Sequence, residues 1–110
     1  TKTLLGADKI VLVTTVTGRC GYEKDGSFST PKGDSWEMFD AGVAAQTFCL
    51  AAHEKGVGTV IMGIFDGSKL AEVANIPEGQ VVSAIISMGY PKFVPETPAR
   101  KSVEELVSYK

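Results

Sequence analysis

The 110 residues offer few side chains that could do chemistry, and their spacing does not form a familiar catalytic set. The single histidine, His53, has no serine, cysteine or aspartate around it in a nucleophile–base arrangement. Cys20 and Cys49 are far apart and belong to no CxxC pair, so they cannot supply the roughly four close ligands of a structural zinc ion. We expect both thiols to be reduced, and we assign neither a metal site nor a catalytic side chain.

Asp40 and Gln46 interrupt an otherwise apolar helical run, and such residues are more often structural hydrogen-bonding groups than acid–base catalysts. The adjacent cations Arg100 and Lys101 could clamp a phosphate or could be solvated surface. By themselves they favour the solvated surface.

Glycines at 56 and 58 suggest a dinucleotide-binding loop, but their context is wrong for one. In that motif a strand precedes the glycines and a helix follows, whereas here a predicted helix comes first. The position of the third glycine is taken by Ile61. The pattern favours a helix end followed by a tight turn.

The hydrophobic periodicity predicts the elements that must position these residues. They are a strand over 10–16, a long helix over 35–55, a short strand over 59–62, a short helix over 67–74, a strand over 80–90 and a final helical turn within 102–109. The first strand is apolar on both faces along its first half, which is typical of a central strand. Asp34 and Glu37 predict a capping box at the start of the long helix. The glycine-rich residues 17–34 are predicted to form a loop, which at that length is a candidate lid or a disordered segment.

The long helix is apolar or small nearly all round, which predicts burial on most sides. The sequence contains no second long helix to cover it. Residues 91–101 contain three prolines and should run extended, away from the sheet interior. Both features favour packing against another chain, most simply a second copy of this one.

Composition limits the remaining possibilities. A chain that is 44% hydrophobic and 22% charged is typical of a single globular domain, here 1–110. A net charge of −2 without a basic face makes nucleic acid an unexpected partner. No apolar stretch approaches the roughly 20 residues of a membrane span, and no apolar h-region opens the chain, so we expect a cytoplasmic protein without membrane association.

A family resemblance emerges from several segments taken in order. They are WEMFDAGVAAQ (36–46), LAAHEKGVGT (50–59), IMG (61–63), IP (76–77), AIISMGYP (84–91) and RKSVEE (100–105). Their order and spacing resemble the C-terminal half of the FMN-dependent nitroreductase family, and residues 1–16 resemble the strand that precedes this half. The resemblance implies an α+β fold, with a mostly antiparallel sheet flanked by helices and a long, buried helix at a homodimer interface. Residues 91–110 would then form an extended C-terminal arm.

The resemblance also implies a function and a site. FMN would lie at the dimer interface and carry electrons from NAD(P)H to a nitroaromatic, quinone or similar small-molecule acceptor, in a ping-pong reaction. Ile61, Met62 and Gly63 match the segment whose backbone lines the flavin ring. Arg100, with Lys101 beside it, matches the basic residue at the FMN phosphate.

The sequence departs from the family at its start. Family members usually begin with an Arg-Ser-x-Arg-type segment for the FMN phosphate, followed by a Pro-Ser-x-x-Asn-type stretch against the flavin, and this sequence contains neither. We therefore expect it to correspond to the C-terminal portion. Two alternatives are a non-catalytic dimerisation or flavin-binding module of the same fold, and a small α+β binding domain with an accidental likeness.

Overall fold

The computed structural model describes residues 6–110, which form three strands and three helices. In chain order they are β1 (Lys9–Val16), α1 (Ser35–Glu54), β2 (Gly58–Met62), α2 (Gly67–Val73), β3 (Gln80–Gly89) and α3 (Val103–Leu106). Every predicted strand and helix is present, and only the last helix is clearly shorter than the predicted segment. An antiparallel sheet combined with helices confirms the predicted α+β class.

The sheet has the order β1–β3–β2, and both outer strands run antiparallel to β3. Leu12, Ile85 and Met62 are direct neighbours across it, so roughly 10 Å separates the outer two backbones. The prediction that the first strand is central was wrong for the part of the chain that the structure describes. There β3 forms the middle strand and β1 lies at an edge. Ile86, on β3, is the largest fully buried side chain among residues 6–110, and Ile85 beside it is also part of the small core.

The β1–β3 ladder contains a bulge. Val13 pairs with Ala84 whereas Thr14 pairs with Val82, so Ser83 is the extra residue on β3. A hydroxyl pair, Thr15 Oγ1 to Ser83 Oγ at 2.6 Å, bridges the strands beside it. The bulge thus keeps its extra polar residue bonded within the sheet.

Helix α1 contacts all three strands but buries only one narrow face against them. Its buried residues are Glu37, Ala45 and Ala52. Most large apolar side chains of the helix remain exposed, namely Met38, Phe39, Val43, Phe48 and Leu50. This chain alone therefore does not provide the burial that the sequence predicts for α1.

The prediction for the C-terminal end of α1 is confirmed, and the prediction for its N-terminal end was wrong. Gly56 ends the helix as predicted: it has φ +72°, donates to His53 O at 2.9 Å, and is followed by a bond from Val57 N to Ala52 O at 3.0 Å. This is the Schellman pattern of hydrogen bonds. The predicted capping box at the other end was wrong, because Asp34 has a helical backbone and its side chain makes no cap hydrogen bond.

The chain is more extended than a compact monomer. Its radius of gyration is 17.1 Å, against about 13 Å for a compact domain of this length. Its accessible surface is 8980 Å², against roughly 5,800 Å² for a compact monomer of this size. Residues 91–110 are exposed throughout and contribute to this excess. Among residues 6–110, no helix combines the length and apolarity needed to cross a membrane.

Candidate functional site

The segment that the resemblance assigns to the flavin ring lies at the end of β2. β1 and β2 both run antiparallel to β3 and so point toward the end of the sheet where β3 begins. β1 reaches that end, since Val16 pairs with Gln80, whereas β2 stops at Met62, which pairs with Ile85 near the middle of β3. Helix α1 begins at the end that β1 reaches, since the Gly18 N–H beyond β1 donates to Glu37 Oε1 in the first turn. Ile61 and Met62 are the last two residues of β2, and Gly63 follows directly.

The backbone at this strand end is open to approach from outside the chain. Gly63 does not have a positive φ, so its conformation does not require glycine. A Cβ placed there would meet no atom within 4 Å. Beside it, Ile61 is about half exposed and Ile64 is fully exposed. The structure therefore leaves open space beside this backbone, into which a flat apolar ring could enter.

Arg100 and Lys101 lie in the C-terminal arm, far along the chain from β2. Both are exposed, in the extended stretch before α3. The turn after them is fixed by a capping box in which Ser102 Oγ accepts from Glu105 N and Glu105 Oε2 accepts from Ser102 N. Among residues 6–110, neither cation forms an ion pair, and neither donates a hydrogen bond to β2. Their role at a phosphate stays a prediction.

Residues 17–34 form a compact loop rather than a disordered segment. Tyr22 and Phe28 pair as an antiparallel bridge with ring centroids 5.0 Å apart. Gly21 and Gly33 come so close that a Cβ on Gly21 would lie 2.5 Å from Gly33 O. The Trp36 Nε1–H donates to Thr30 Oγ1 at 2.7 Å, which fastens the loop to the first turn of α1. The loop is thus a folded element at the end of the sheet where β1 finishes and β3 begins.

Glu37 is the residue whose role the sequence interpretation missed. Instead of capping its own helix it is buried, and its carboxylate accepts from Gly18 N at 2.6 Å. A signal was available, because Glu37, Ala41, Ala45, Cys49 and Ala52 recur at helical spacing on the face that packs inward. A buried carboxylate on that face needs a hydrogen-bond donor, and Gly18 at the start of the loop supplies one.

Cys20 and Asp40 form a pair between the loop and α1. The Asp40 carboxylate accepts a hydrogen bond from the thiol, and this bond raises the pKa of Cys20, with burial and the charges of Asp40 and Glu37 adding to the effect. Both cysteines are free in the structure. Since the thiolate is the nucleophilic form, Cys20 is poorly suited to covalent catalysis.

We expect alkylation of Cys20 to require higher pH than that of an ordinary thiol, because its raised pKa leaves less thiolate at a given pH. Replacing Asp40 with asparagine removes the negative charge and should move the alkylation midpoint to lower pH. The measurement is the pH dependence of iodoacetamide labelling, with Cys49→Ser as the background that isolates Cys20. A midpoint that Asp40→Asn leaves unchanged would contradict this assignment.

His53 lies near the start of β2, whereas Gly63 follows the last residue of that strand. It lines an apolar cleft of about 330 Å³ between the end of α1 and the arm, together with residues that include Gly58, Phe93 and Val94. Gly58 pairs with Gly89 at the end of β3, which places this cleft away from the end of β2. His53 is therefore not part of the candidate flavin site.

Comparisons with known proteins agree with the fold and the sequence pattern. The family model described as "Nitroreductase family" matches residues 2–90. An Archaeoglobus fulgidus protein, provisionally named as an NADH dehydrogenase/NAD(P)H nitroreductase, is 36% identical over 63 residues, which are 54% of this chain and 36% of that protein.

Two solved structures illustrate the similarity in three dimensions. A nitroreductase family protein from Clostridium difficile 630 superposes with a TM-score of 0.73 over 96% of this chain and 61% of its own, at 24% identity. The NADPH:FMN oxidoreductase of Vibrio harveyi, solved with NAD⁺, superposes with a TM-score of 0.61 over 68% and 34%, at 27% identity. The chain thus spans between about a third and three-fifths of the length of these relatives. Because the family match covers most of its residues, the chain belongs to the nitroreductase family.

Proposed function

We propose that this chain is part of an FMN-dependent oxidoreductase that passes reducing equivalents from NAD(P)H to a nitroaromatic, quinone or similar acceptor by a ping-pong mechanism. The observation that carries the proposal is the open backbone at Gly63, at the end of β2, in a chain of the nitroreductase family. The NADPH:FMN oxidoreductase among the structural relatives supports the same class of reaction.

The proposed roles of the residues follow from their placement. The backbone of Ile61, Met62 and Gly63 would lie along the flavin ring, and the apolar side chains there would exclude water from one side of it. Arg100, with Lys101, would bind the phosphate, because both are exposed cations without an ion-pair partner among the described residues. Bound FMN supplies the redox chemistry, accepting reducing equivalents from NAD(P)H and delivering them to the acceptor. The chain's own task is to bind and orient, so no catalytic side chain is assigned.

The functional unit that we propose is a cytoplasmic homodimer with FMN at its interface. A single chain exposes roughly 3,000 Å² more surface than a compact monomer of this size. Obligate dimer interfaces commonly bury 2,000–5,000 Å² in total, so the excess is ample for one. The exposed apolar side chains of α1 and the exposed arm are the surfaces that support this proposal.

The second candidate is a non-catalytic dimerisation or flavin-binding module of the same fold. The described residues supply only a small part of the proposed site, namely one stretch of strand backbone and one pair of cations. This favours the second candidate. The two candidates differ in whether nicotinamide reduces the bound flavin.

The first experiment is an absorbance spectrum of the purified chain, with added FMN, across a sizing column. Flavin absorbance that co-elutes with a dimer would support the proposed site. Bleaching of that absorbance by NADH or NADPH without oxygen would then favour the enzyme, whereas an unbleached yellow protein would favour the binding module. A chain that retains no FMN would contradict the enzyme and the flavin-binding module for these 110 residues, and a dimer without FMN would leave only the dimerisation module.

We expect Arg100→Ala to weaken FMN binding by about 1–3 kcal/mol, because it removes a charge-assisted hydrogen bond to the phosphate. This corresponds to roughly a 5- to 150-fold rise in Kd. A flavin fluorescence titration measures it. Lys92→Ala, which removes an exposed cation elsewhere on the arm, is the matched control and should leave Kd unchanged. Equal Kd values for the Arg100 variant and the control would remove Arg100 from the site.

A further inference from the structure

The arm gains hydrogen-bonded structure directly after Arg100 and Lys101. Among the described residues, the stretch 91–101 forms no hydrogen bond at all. From Ser102 onward this changes, because Ser102 Oγ accepts from Glu105 N at 3.3 Å and Glu105 Oε2 accepts from Ser102 N at 2.9 Å. These two bonds form the reciprocal capping box at the start of α3.

Helix α3 depends on this box because little else holds it. The helix is only four residues long, and a single helical turn is marginal in water because its first hydrogen bond must fix several residues at once. All four residues are exposed, so packing within this chain contributes little to the turn. The cap is therefore the main interaction that orders the backbone beside the two cations.

The backbone of the two cations is restrained from both sides. Pro98 fixes its own φ two residues before Arg100, and the capped Ser102, with φ −69° and ψ 164°, follows Lys101. The box also engages a neighbouring carboxylate, since Glu105 is bonded to the backbone of Ser102. Neither cation forms an ion pair among residues 6–110. Both thus remain available to an anion, on backbone that is already ordered.

We propose that Ser102 and Glu105 are positioning residues for the FMN phosphate. Their capping box holds the turn directly after the cations, so less backbone freedom is lost when the phosphate binds. Without the cap, the same cations would lie on an unrestrained segment that binding would have to order. The inference rests on the proposed function, which assigns the phosphate to Arg100 and Lys101, and it adds two residues to which that proposal gives no role.

Removing the cap hydroxyl tests the inference. We expect Ser102→Ala to raise the Kd for FMN by roughly 3- to 10-fold in a flavin fluorescence titration. Ser108→Ala is the matched control, because it removes an exposed hydroxyl of the same arm that makes no hydrogen bond in the described part of the chain. Riboflavin has the same ring without the phosphate, so neither variant should change its Kd. General damage to the site would weaken both flavins.

Substitutions that keep the capping geometry separate the box from the charge of Glu105. Glu105→Gln retains an acceptor for Ser102 N, and Ser102→Thr retains a cap hydroxyl, so both should bind FMN nearly as the unmodified chain does. Glu105→Ala lacks the acceptor and should raise the Kd as Ser102→Ala does. Equal Kd values for the glutamine and alanine variants would mean that Glu105 acts through its charge, which overturns the inference.

The inference is also overturned if Ser102→Ala binds FMN like Ser108→Ala, or if it weakens riboflavin as much as FMN. Bleaching of the bound FMN by NADH or NADPH reports on the proposed function separately. FMN that is bleached normally, with an affinity that Ser102→Ala leaves unchanged, would keep the proposed enzyme and reject the positioning role. FMN that Ser102→Ala weakens but that neither nicotinamide bleaches would do the reverse. A chain that binds neither flavin would contradict both.

Discussion

Replacing Ile86 with alanine is expected to lower the free energy of unfolding by about 2–5 kcal/mol. Ile86 is completely buried at the centre of β3, directly between Val11 on β1 and Ile61 on β2. Truncation loses the transfer free energy of three carbon atoms and leaves a cavity in the part of the sheet where all three strands pair. Since domains of this size are typically stable by only about 5–15 kcal/mol, the variant should be partly unfolded at modest urea concentrations.

Urea unfolding followed by circular dichroism measures this effect. Ile64→Ala is the matched control, because it makes the same truncation at a fully exposed isoleucine and should change stability by less than about 0.5 kcal/mol. Equal losses in the two variants would mean that Ile86 does not form the centre of the core.

Replacing Gly63 with valine is expected to weaken FMN binding by about 3 kcal/mol or more while leaving the fold intact, which is a rise in Kd of at least roughly 150-fold. The fold should tolerate the change because the backbone of Gly63 lacks a positive φ and a Cβ there meets no atom within 4 Å. The flavin should not tolerate it, because a branched side chain would occupy the space from which the ring approaches the backbone.

A flavin titration combined with urea unfolding separates these two effects. Gly67→Val makes the same substitution at the start of α2, where an added Cβ makes only an ordinary contact of 3.8 Å with Phe65. It should bind FMN like the unmodified chain. If Gly63→Val also binds FMN normally, the ring does not lie against this backbone.

The elements of the fold could be predicted because their signals are local. The β-branched runs of β1 and β3, the small and apolar residues of α1, and Gly56 at its end each specify their structure within a few neighbouring positions. The placement of β1 could not be predicted in the same way. Whether a two-faced apolar strand is central or lies at an edge depends on its partners, and β1 pairs with a strand about 70 positions later.

The same distinction applies to the side chains around the site. The hydrogen bond from Gly18 to Glu37 and the pairing of Cys20 with Asp40 both depend on the path of the loop back to α1, which no local pattern encodes. In the sequence the nearest group for the Glu37 carboxylate was the backbone N–H of Asp34 in the predicted capping box, whereas in the fold the carboxylate accepts from the backbone N–H of Gly18. The assignments of Ile61, Met62 and Gly63 came from the family resemblance, and the structure adds the open backbone that makes them testable.

The strand order of the sheet also dictates an order of events during synthesis. β1 is made first, yet its only partner among the described residues is β3, and the Thr15–Ser83 pair spans 68 positions. At roughly 5–20 residues per second, the ribosome needs about 3–14 s to produce that partner. During this interval α1 and β2 emerge before the sheet is complete. Three apolar segments, β1, α1 and β2, therefore remain uncovered in the nascent chain. A chaperone that shields them over those seconds would act before β1 can pair with β3.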